Sequence, residues 1–237
     1  MRNVEELGTV LGVWAHPDDE TYLAGGIMAA ASRAGQRVVC VTATAGERGT
    51  DDPDAWPPER LAGRRQRELH EALHLLGVHE HHWLGYRDGS CDSVAPEEAV
   101  QRLTSIVAAV APDTILTFGP DGITGHADHI AVGRWAKIAA RAVTGARLLA
   151  AAKDQQWVKR FTPLHATYDV FPPGFPVAVA THDLALHVEL PDDLLDCKVA
   201  ALQAQDSQTA PIIQSFGLRR WREWVGTEAF VAAPATD

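Results

Sequence analysis

Short apolar runs alternate along the chain with longer stretches of helical periodicity. Thr9 to Ala15 reads TVLGVWA and Arg37 to Thr44 reads RVVCVTAT, with an Ala-rich segment, Glu20 to Ala34, between them and Gly35 behind it. Apolar runs of this length predict strands, and a helix closed by glycine between two of them predicts a strand–helix–strand unit. The pattern continues with a helix over Pro58 to Leu76 ending at Gly77, a strand near His81 to Leu84, a helix over Pro96 to Val110 and a strand over Thr114 to Phe118. Such alternation implies an α/β fold, Rossmann-like and three-layered, with a mostly parallel central sheet and helices on both faces. In these sheets ligand-binding groups gather beyond the carboxyl ends of the strands. Phe161 to Pro176 carries four prolines and reads as a loop or lid, followed by a strand over Leu184 to Leu190 and a helix from Asp192 to about Gln205. No fixed-period repeat or low-complexity linker interrupts the pattern, so residues 1–237 are expected to form one domain.

Composition narrows the chemistry. With 21 Lys+Arg against 31 Asp+Glu the formal net charge is −10, which argues against a protein that neutralises nucleic-acid phosphates or an anionic bilayer. Apolar stretches such as Ala146 to Ala152, broken by Arg147, fall short of the roughly 20 residues needed to span a membrane. The start of the chain carries Glu5 and Glu6 rather than the basic residues and apolar core of a secretory signal, so a cytoplasmic location is expected. Cys40, Cys91 and Cys197 are far apart and odd in number, unlike a disulfide framework or a cysteine zinc site. A small-molecule substrate, with no nucleic-acid or membrane partner, is the expectation that remains.

The most informative hexapeptide is Ala15-His16-Pro17-Asp18-Asp19-Glu20, at the end of the first strand. Helix capping explains one acid there, since Asp18 or Asp19 can accept N–H bonds from the first turn. It does not explain an imidazole two residues before adjacent aspartates, whose repulsion is costly unless a cation is shared. The strand Thr114 to Phe118 leads into a glycine-containing loop and then His126-Ala127-Asp128-His129, with both histidines on one face of a nascent helix. If the two strands are neighbours, His16, Asp19 and His129 converge as three metal ligands with a position left for water. Asp18 is then free to deprotonate that water, His126 to stabilise a developing oxyanion, and Asp128 to orient a histidine from behind.

The pair AHPDDE at 15–20 and GHADH at 125–129 resembles the LmbE/PIG-L family of zinc-dependent N-deacetylases. Gly46-Glu47-Arg48-Gly49, the Arg65-x-x-Glu68 helix, Leu84 to Gly89 and Lys198 to Gln208 extend the resemblance over most of the chain. It implies a hydrolase that removes an acetyl group from an N-acetylglucosamine-type amino sugar or related small molecule. It also implies one Zn2+ per chain, or Fe2+ or another divalent metal, held by His16, Asp19 and His129, with Asp18 as base. His126 would stabilise the oxyanion or act as acid, either Asp18 or His126 would protonate the amine, and Arg65, Asp88, Glu47 and Arg48 would contact substrate. Family members often form homo-oligomers. The chain departs from the pattern at Thr124, where some members carry tyrosine, and at Gln205, where histidine is common.

Helical spacing bears on Arg65 separately. It lies within roughly 20° of the centre of the stripe Leu61, Leu69, Ala72, Leu73 and Leu76, so it needs either an anionic or polar ligand or a structural carboxylate partner. Asp88, between Arg87 and Gly89, reads equally as a turn residue. His70-Glu71-Ala72-Leu73-His74 matches the H-E-x-x-H of metalloproteases, but the third-ligand position is Glu80, and both histidines fall on the polar side of the helix. Two histidines and a carboxylate also describe non-haem iron oxygenases, whose β-barrel setting disagrees with the strand–helix alternation. The remaining alternatives are an amidase for a larger thiol or glycoside conjugate and a catalytically silent metal-binding homologue.

Overall fold

The computed structural model describes residue 4 and residues 6–233, so Glu5 lies outside the described residues. The first half of the chain runs β1 (Val10–Trp14), α1 (Asp19–Arg33), β2 (Val38–Thr44), α2 (Pro58–Leu75), β3 (Glu80–Tyr86), α3 (Pro96–Val110), β4 (Thr114–Phe118) and α4 (Ala127–Ala139). The second half adds β5 (Arg147–Asp154), α5 (Gln155–Tyr168), β6 (Ala178–Val179), β7 (Leu184–Glu189), α6 (Asp192–Ala204), α7 (Asp206–Phe216), α8 (Leu218–Val225) and β8 (Thr227–Ala232). The strands form one sheet in the order β3-β2-β1-β4-β5-β8-β7, with β6 paired to β5. Strands β1 to β5 are mutually parallel, while β8 runs antiparallel to both β5 and β7. This is the mostly parallel, helix-flanked sheet that the apolar pattern predicts.

The order has one consequence for function. From β1 the chain steps outward through β2 to β3, then returns to the other side of β1 to form β4. The loops leaving β1 and β4 therefore diverge at a topological switch point, where a crevice opens beyond the carboxyl ends of the strands. His16 follows β1 and His126 and His129 follow β4, so the sheet itself brings the two histidine-bearing segments together.

One element goes beyond the sequence expectation and another departs from it. Strand β5 carries three consecutive alanines, poor strand formers, yet it is buried between β4 and β8, and pairing on both sides overrides their propensity. The proline-rich loop begins later than Phe161, because α5 continues through Pro163 to Tyr168. Trp157 and Phe161, one turn apart on that helix, are buried with Trp221, Trp224, Val225 and Leu202, and that burial offsets the missing backbone donor. The Asp154 carboxylate starts the helix by accepting the Trp157 N–H at 2.6 Å.

A fully buried ion pair fastens the last strand to the first helix. Lys198 Nζ stands 2.7 Å from Glu228 Oε1 and donates to the Tyr22 carbonyl at 2.8 Å, while Glu228 accepts the Gly26 and Ile27 N–H groups, each at 2.8 Å. Glycine at 26 permits the close approach, since a Cβ there would lie 2.3 Å from Leu190 Cδ2. Removing one member leaves the other charged and buried. Lys198→Met is therefore expected to lower unfolding free energy by about 3–5 kcal/mol in urea titrations, with little change in the denaturant slope.

Candidate metal centre and active site

Asp18 ends the turn between β1 and α1, and Asp19 is the first residue of α1. Asp18 adopts φ 100°, a backbone region that non-glycine residues rarely occupy. Two carboxylates hold the turn: Asp19 Oδ2 accepts the His16 N–H at 2.8 Å and Glu20 Oε2 accepts the Asp18 N–H at 3.0 Å. Glu20 is completely buried, and Gln205 donates to its Oε1 at 2.8 Å. Both carboxylates reach back to N–H groups ahead of the helix, whereas Asp18, at the N-cap position, makes no side-chain capping bond and faces Arg65 instead.

The metal-ligand candidates converge. His16 Nδ1 lies 3.2 Å from His129 Nε2 and 3.5 Å from Asp19 Oδ2, and His129 Nε2 lies 3.4 Å from Asp19 Oδ1. Ligands of a tetrahedral divalent ion at about 2.05 Å stand ~3.3 Å from one another, so the spacing fits. The opposite ring nitrogens are already engaged. His16 Nε2 is 3.1 Å from both Asp128 Oδ2 and Asp88 Oδ1, and His129 Nδ1 donates to the Gly122 carbonyl at 2.9 Å. That carbonyl can only accept, so the Nε2 lone pair of a neutral His129 is directed at His16 and Asp19. Phe118 stacks on the His129 ring at 4.2 Å between centroids.

Asp128 is fully buried and backs His16 as a metal-binding histidine's carboxylate would. It also accepts the Gly89 N–H at 2.7 Å and the Cys91 N–H at 2.9 Å. The backbone N–H of Asp128 donates to His126 Nδ1 at 3.2 Å, which puts the proton of a neutral His126 on Nε2. His126 is exposed at the rim, and a ligand nitrogen on its ring lies within 4.8 Å of those on His16 and His129.

The chain belongs to the PIG-L family. Residues 11–140, which contain both histidine motifs, match the family described as GlcNAc-PI de-N-acetylase. The 1D-myo-inositol 2-acetamido-2-deoxy-alpha-D-glucopyranoside deacetylase of Saccharomonospora viridis is 36% identical over 59% of this chain and 60% of its own length. The enzyme of the same name from Corynebacterium glutamicum is 31% identical over 84% of this chain and 74% of its own. The chain thus spans about 60% of the length of the first of these relatives. Among solved structures, N,N'-diacetylchitobiose deacetylase from Pyrococcus horikoshii superposes with a TM-score of 0.67 at 23% identity, over 98% of this chain and 85% of that one. That likeness concerns the fold.

Around this PIG-L centre, negative charge exceeds positive. Burial opposes ionisation of Asp19, but His129 and His16 outweigh it and hold Asp19 near about 2. Burial likewise opposes a charged His16, and the carboxylates of Asp128, Asp19 and Asp88 overcome it, keeping the imidazole well above its ordinary pKa. Burial raises Asp18 to about 8, opposed by Arg65 and reinforced by Asp19 and Glu20. Four carboxylates crowding two buried imidazoles is a donor set that a divalent cation matches.

The other expected contacts are more varied. Arg65 is buried, donates to the carbonyls of Gly46 at 2.7 Å and Pro17 at 2.6 Å, and stands 3.4 Å from Asp18 Oδ2. Glycines flank it because a Cβ at Gly46 or Gly49 would fall 2.2 or 2.5 Å from its Nη1. Asp88 Oδ2 accepts the Arg48 N–H and Glu47 accepts the Asp88 N–H, so these two acids brace the loops. Arg48 is exposed at the mouth. His70 and His74 of the protease-like motif are exposed on the far side of α2, and His70 Nδ1 bonds the Gln66 carbonyl.

Two cavities meet at the centre. A polar one of about 500 Å³ includes Arg48, Arg65, Asp88 and His126. An apolar one of about 290 Å³ includes Tyr22, Leu23, Trp157, Phe171, Trp224 and Lys153. Asp18, Asp19, His129 and Gln208 border both. The second cavity escaped the sequence reading, because its residues come from distant elements and carry no local motif. Asp128→Asn is expected to weaken metal binding about 10–100-fold by removing the carboxylate behind His16, as measured by competition with a chromophoric chelator.

Proposed function

We propose that the protein is a zinc-dependent hydrolase that removes the N-acetyl group of an N-acetylglucosamine-type amino sugar or related small molecule. The observation that carries this reading is the convergence of His16 Nδ1, His129 Nε2 and Asp19 within 3.5 Å of one another, with Asp18 next in the chain. His16, Asp19 and His129 would hold the ion. Zinc bound there supplies Lewis acidity toward the amide carbonyl and a nucleophile at neutral pH.

The chain's own groups account for the proton transfers. Asp18 takes a proton from water as the water oxygen bonds to the carbonyl carbon. His126, whose Nδ1 is occupied by the Asp128 N–H, presents Nε2–H to the developing oxyanion. When the carbon–nitrogen bond breaks, the proton held by Asp18 passes to the departing nitrogen, giving a free amine and a carboxylic acid that loses its remaining proton to solvent at neutral pH. Arg65 keeps the Asp18 carboxylate turned toward the centre. Arg48 at the mouth supplies donors for sugar hydroxyls, with Glu47 and Asp88 fixing its loop. The PIG-L membership and the deacetylase names of the two relatives support the substrate class.

Release of amine from N-acetylglucosaminyl-inositol and other N-acetylglucosaminyl compounds tests the activity. The zinc-loaded protein is expected to cleave at least one of them, to stop when a chelator strips the metal, and to resume when zinc is restored. Loss of none of these activities on chelation would overturn the metal assignment. Asp18→Asn is expected to lower kcat about 10²–10⁴-fold while retaining metal by elemental analysis. His129→Ala is expected to lose the metal itself.

A further inference from the structure

The apolar cavity is larger than an acetyl group needs. At about 290 Å³ it has room for roughly ten groups of water size, at ~30 Å³ each, whereas an acetyl group brings one methyl. Its walls are the aromatic and aliphatic side chains Tyr22, Leu23, Trp157, Phe171, Ile212 and Trp224. The neighbouring cavity, with Arg48, Arg65, Asp88 and His126, carries the polar groups suited to a sugar. An amide held at the shared border, Asp18, Asp19 and His129, must direct one of its two sides into each. Matching polarity sends the amino sugar to the polar side and the acyl group to the apolar side.

Away from the border formed by Asp18, Asp19 and His129, the apolar lining also carries a lysine. Lys153, at the carboxyl end of β5, is 8% exposed, and its Nζ lies 4.6 Å from the Trp157 ring centroid. Among the described residues that Nζ makes no hydrogen bond or ion pair, in contrast to the fully paired Lys198. Burial brings Lys153 down to about 7, with Lys198 adding and Glu228 and Asp154 opposing. The Trp157 ring face is the one contact the structure records for this ammonium among the described residues, so its N–H donors stay free in the cavity for an oxygen acceptor brought by the ligand.

We propose that the apolar cavity binds the acyl side of the substrate, that it admits acyl groups longer than acetyl, and that Lys153 recognises a carboxylate at the far end of such a group. The substrate class then extends from N-acetyl to N-acyl amino sugars whose acyl chain is the half-amide of a dicarboxylic acid. This goes beyond the N-deacetylase reading above and rests on it. The same bond is cleaved, water supplying the oxygen of the new carboxylate and the amine taking the proton. Lys153 is a specificity residue here, since it meets the chain end and not the reacting carbon.

Three substrates separate the possibilities: N-acetyl-, N-hexanoyl- and N-adipoyl-glucosamine, the last two matched in length and differing in the terminal carboxylate. The zinc-loaded protein is expected to cleave hexanoyl about tenfold better than acetyl in kcat/KM, and adipoyl about tenfold better again. In Lys153→Met the ratio of adipoyl to hexanoyl is expected to fall to about one or below. Calorimetry on the metal-free proteins supplies a readout apart from turnover: adipic acid monoamide is expected to bind the natural chain more tightly than hexanamide, and Lys153→Met is expected to lose that preference. Cleavage of acetyl with refusal of both longer acyl groups would overturn the proposal and leave the deacetylase reading standing. An adipoyl preference unchanged in Lys153→Met would overturn the role of Lys153. If none of the three is cleaved and N-acetylglucosaminyl-inositol also stays intact, the hydrolase reading fails, and equal binding of the two amides in calorimetry overturns the acyl site by itself.

Discussion

The buried carboxylate of Asp128 holds the centre together. It accepts backbone N–H groups from Gly89 and Cys91 and faces His16 Nε2, so it joins the loop after β1, the loop after β3 and the start of α4. Desolvating a carboxylate is unfavourable, and here three donors offset the cost. Because those donors belong to three separate segments, the same bonds that satisfy the charge also fix the positions of the segments. The N–H of Asp128 adds a fourth bond, to His126, which selects that ring's tautomer. One residue therefore orients two histidines with different tasks.

The negative surplus around the centre follows from that arrangement. Asp18, Asp19, Asp88 and Asp128 lie near two buried imidazoles and one buried guanidinium, and opposite charges across such distances shift ionisation strongly. The left-handed backbone at Asp18 belongs to the same economy of space: the Asp18 N–H is turned to Glu20 and the side chain to Arg65. Gln205 supports Glu20 and Thr21 through its amide nitrogen. Its place is behind Glu20, apart from the convergence of His16, Asp19 and His129. The Lys198–Glu228 pair does similar work for the scaffold, anchoring α1 from the side away from the ligands.

The two cavities differ in the origin of their walls. The amino-terminal half of the chain supplies both histidine motifs and the polar wall, while the aromatic wall is drawn largely from α5, α7, α8 and the loop after α5. Those later elements carry their own small core of Trp157, Phe161, Trp221 and Trp224, distinct from the main sheet core. A wall with a separate core can change its shape without disturbing the ligands on the switch-point loops, which is how one fold serves several substrates.

Local chemistry made much of this protein legible from sequence. The strand and helix periods of the first half predicted a parallel sheet, and two polar motifs at strand ends predicted that His16, Asp19 and His129 would converge, because both signals are short in range. The angular position of Arg65 on its helix implied burial, and Arg65 is buried, with Asp18 Oδ2 3.4 Å away. The alanine strand β5, the passage of α5 through Pro163 and the apolar cavity with Lys153 were not legible. Each depends on partners more than twenty residues away, whose packing overrides the local preference. The sequence by itself determined the chemical inventory of the centre and the architecture that exposes it. Only the tertiary structure decided which nitrogen of each histidine faces the ligand site and what lies on either side of it, because hydrogen-bond partners and cavity walls are set by segments that meet only in the folded chain.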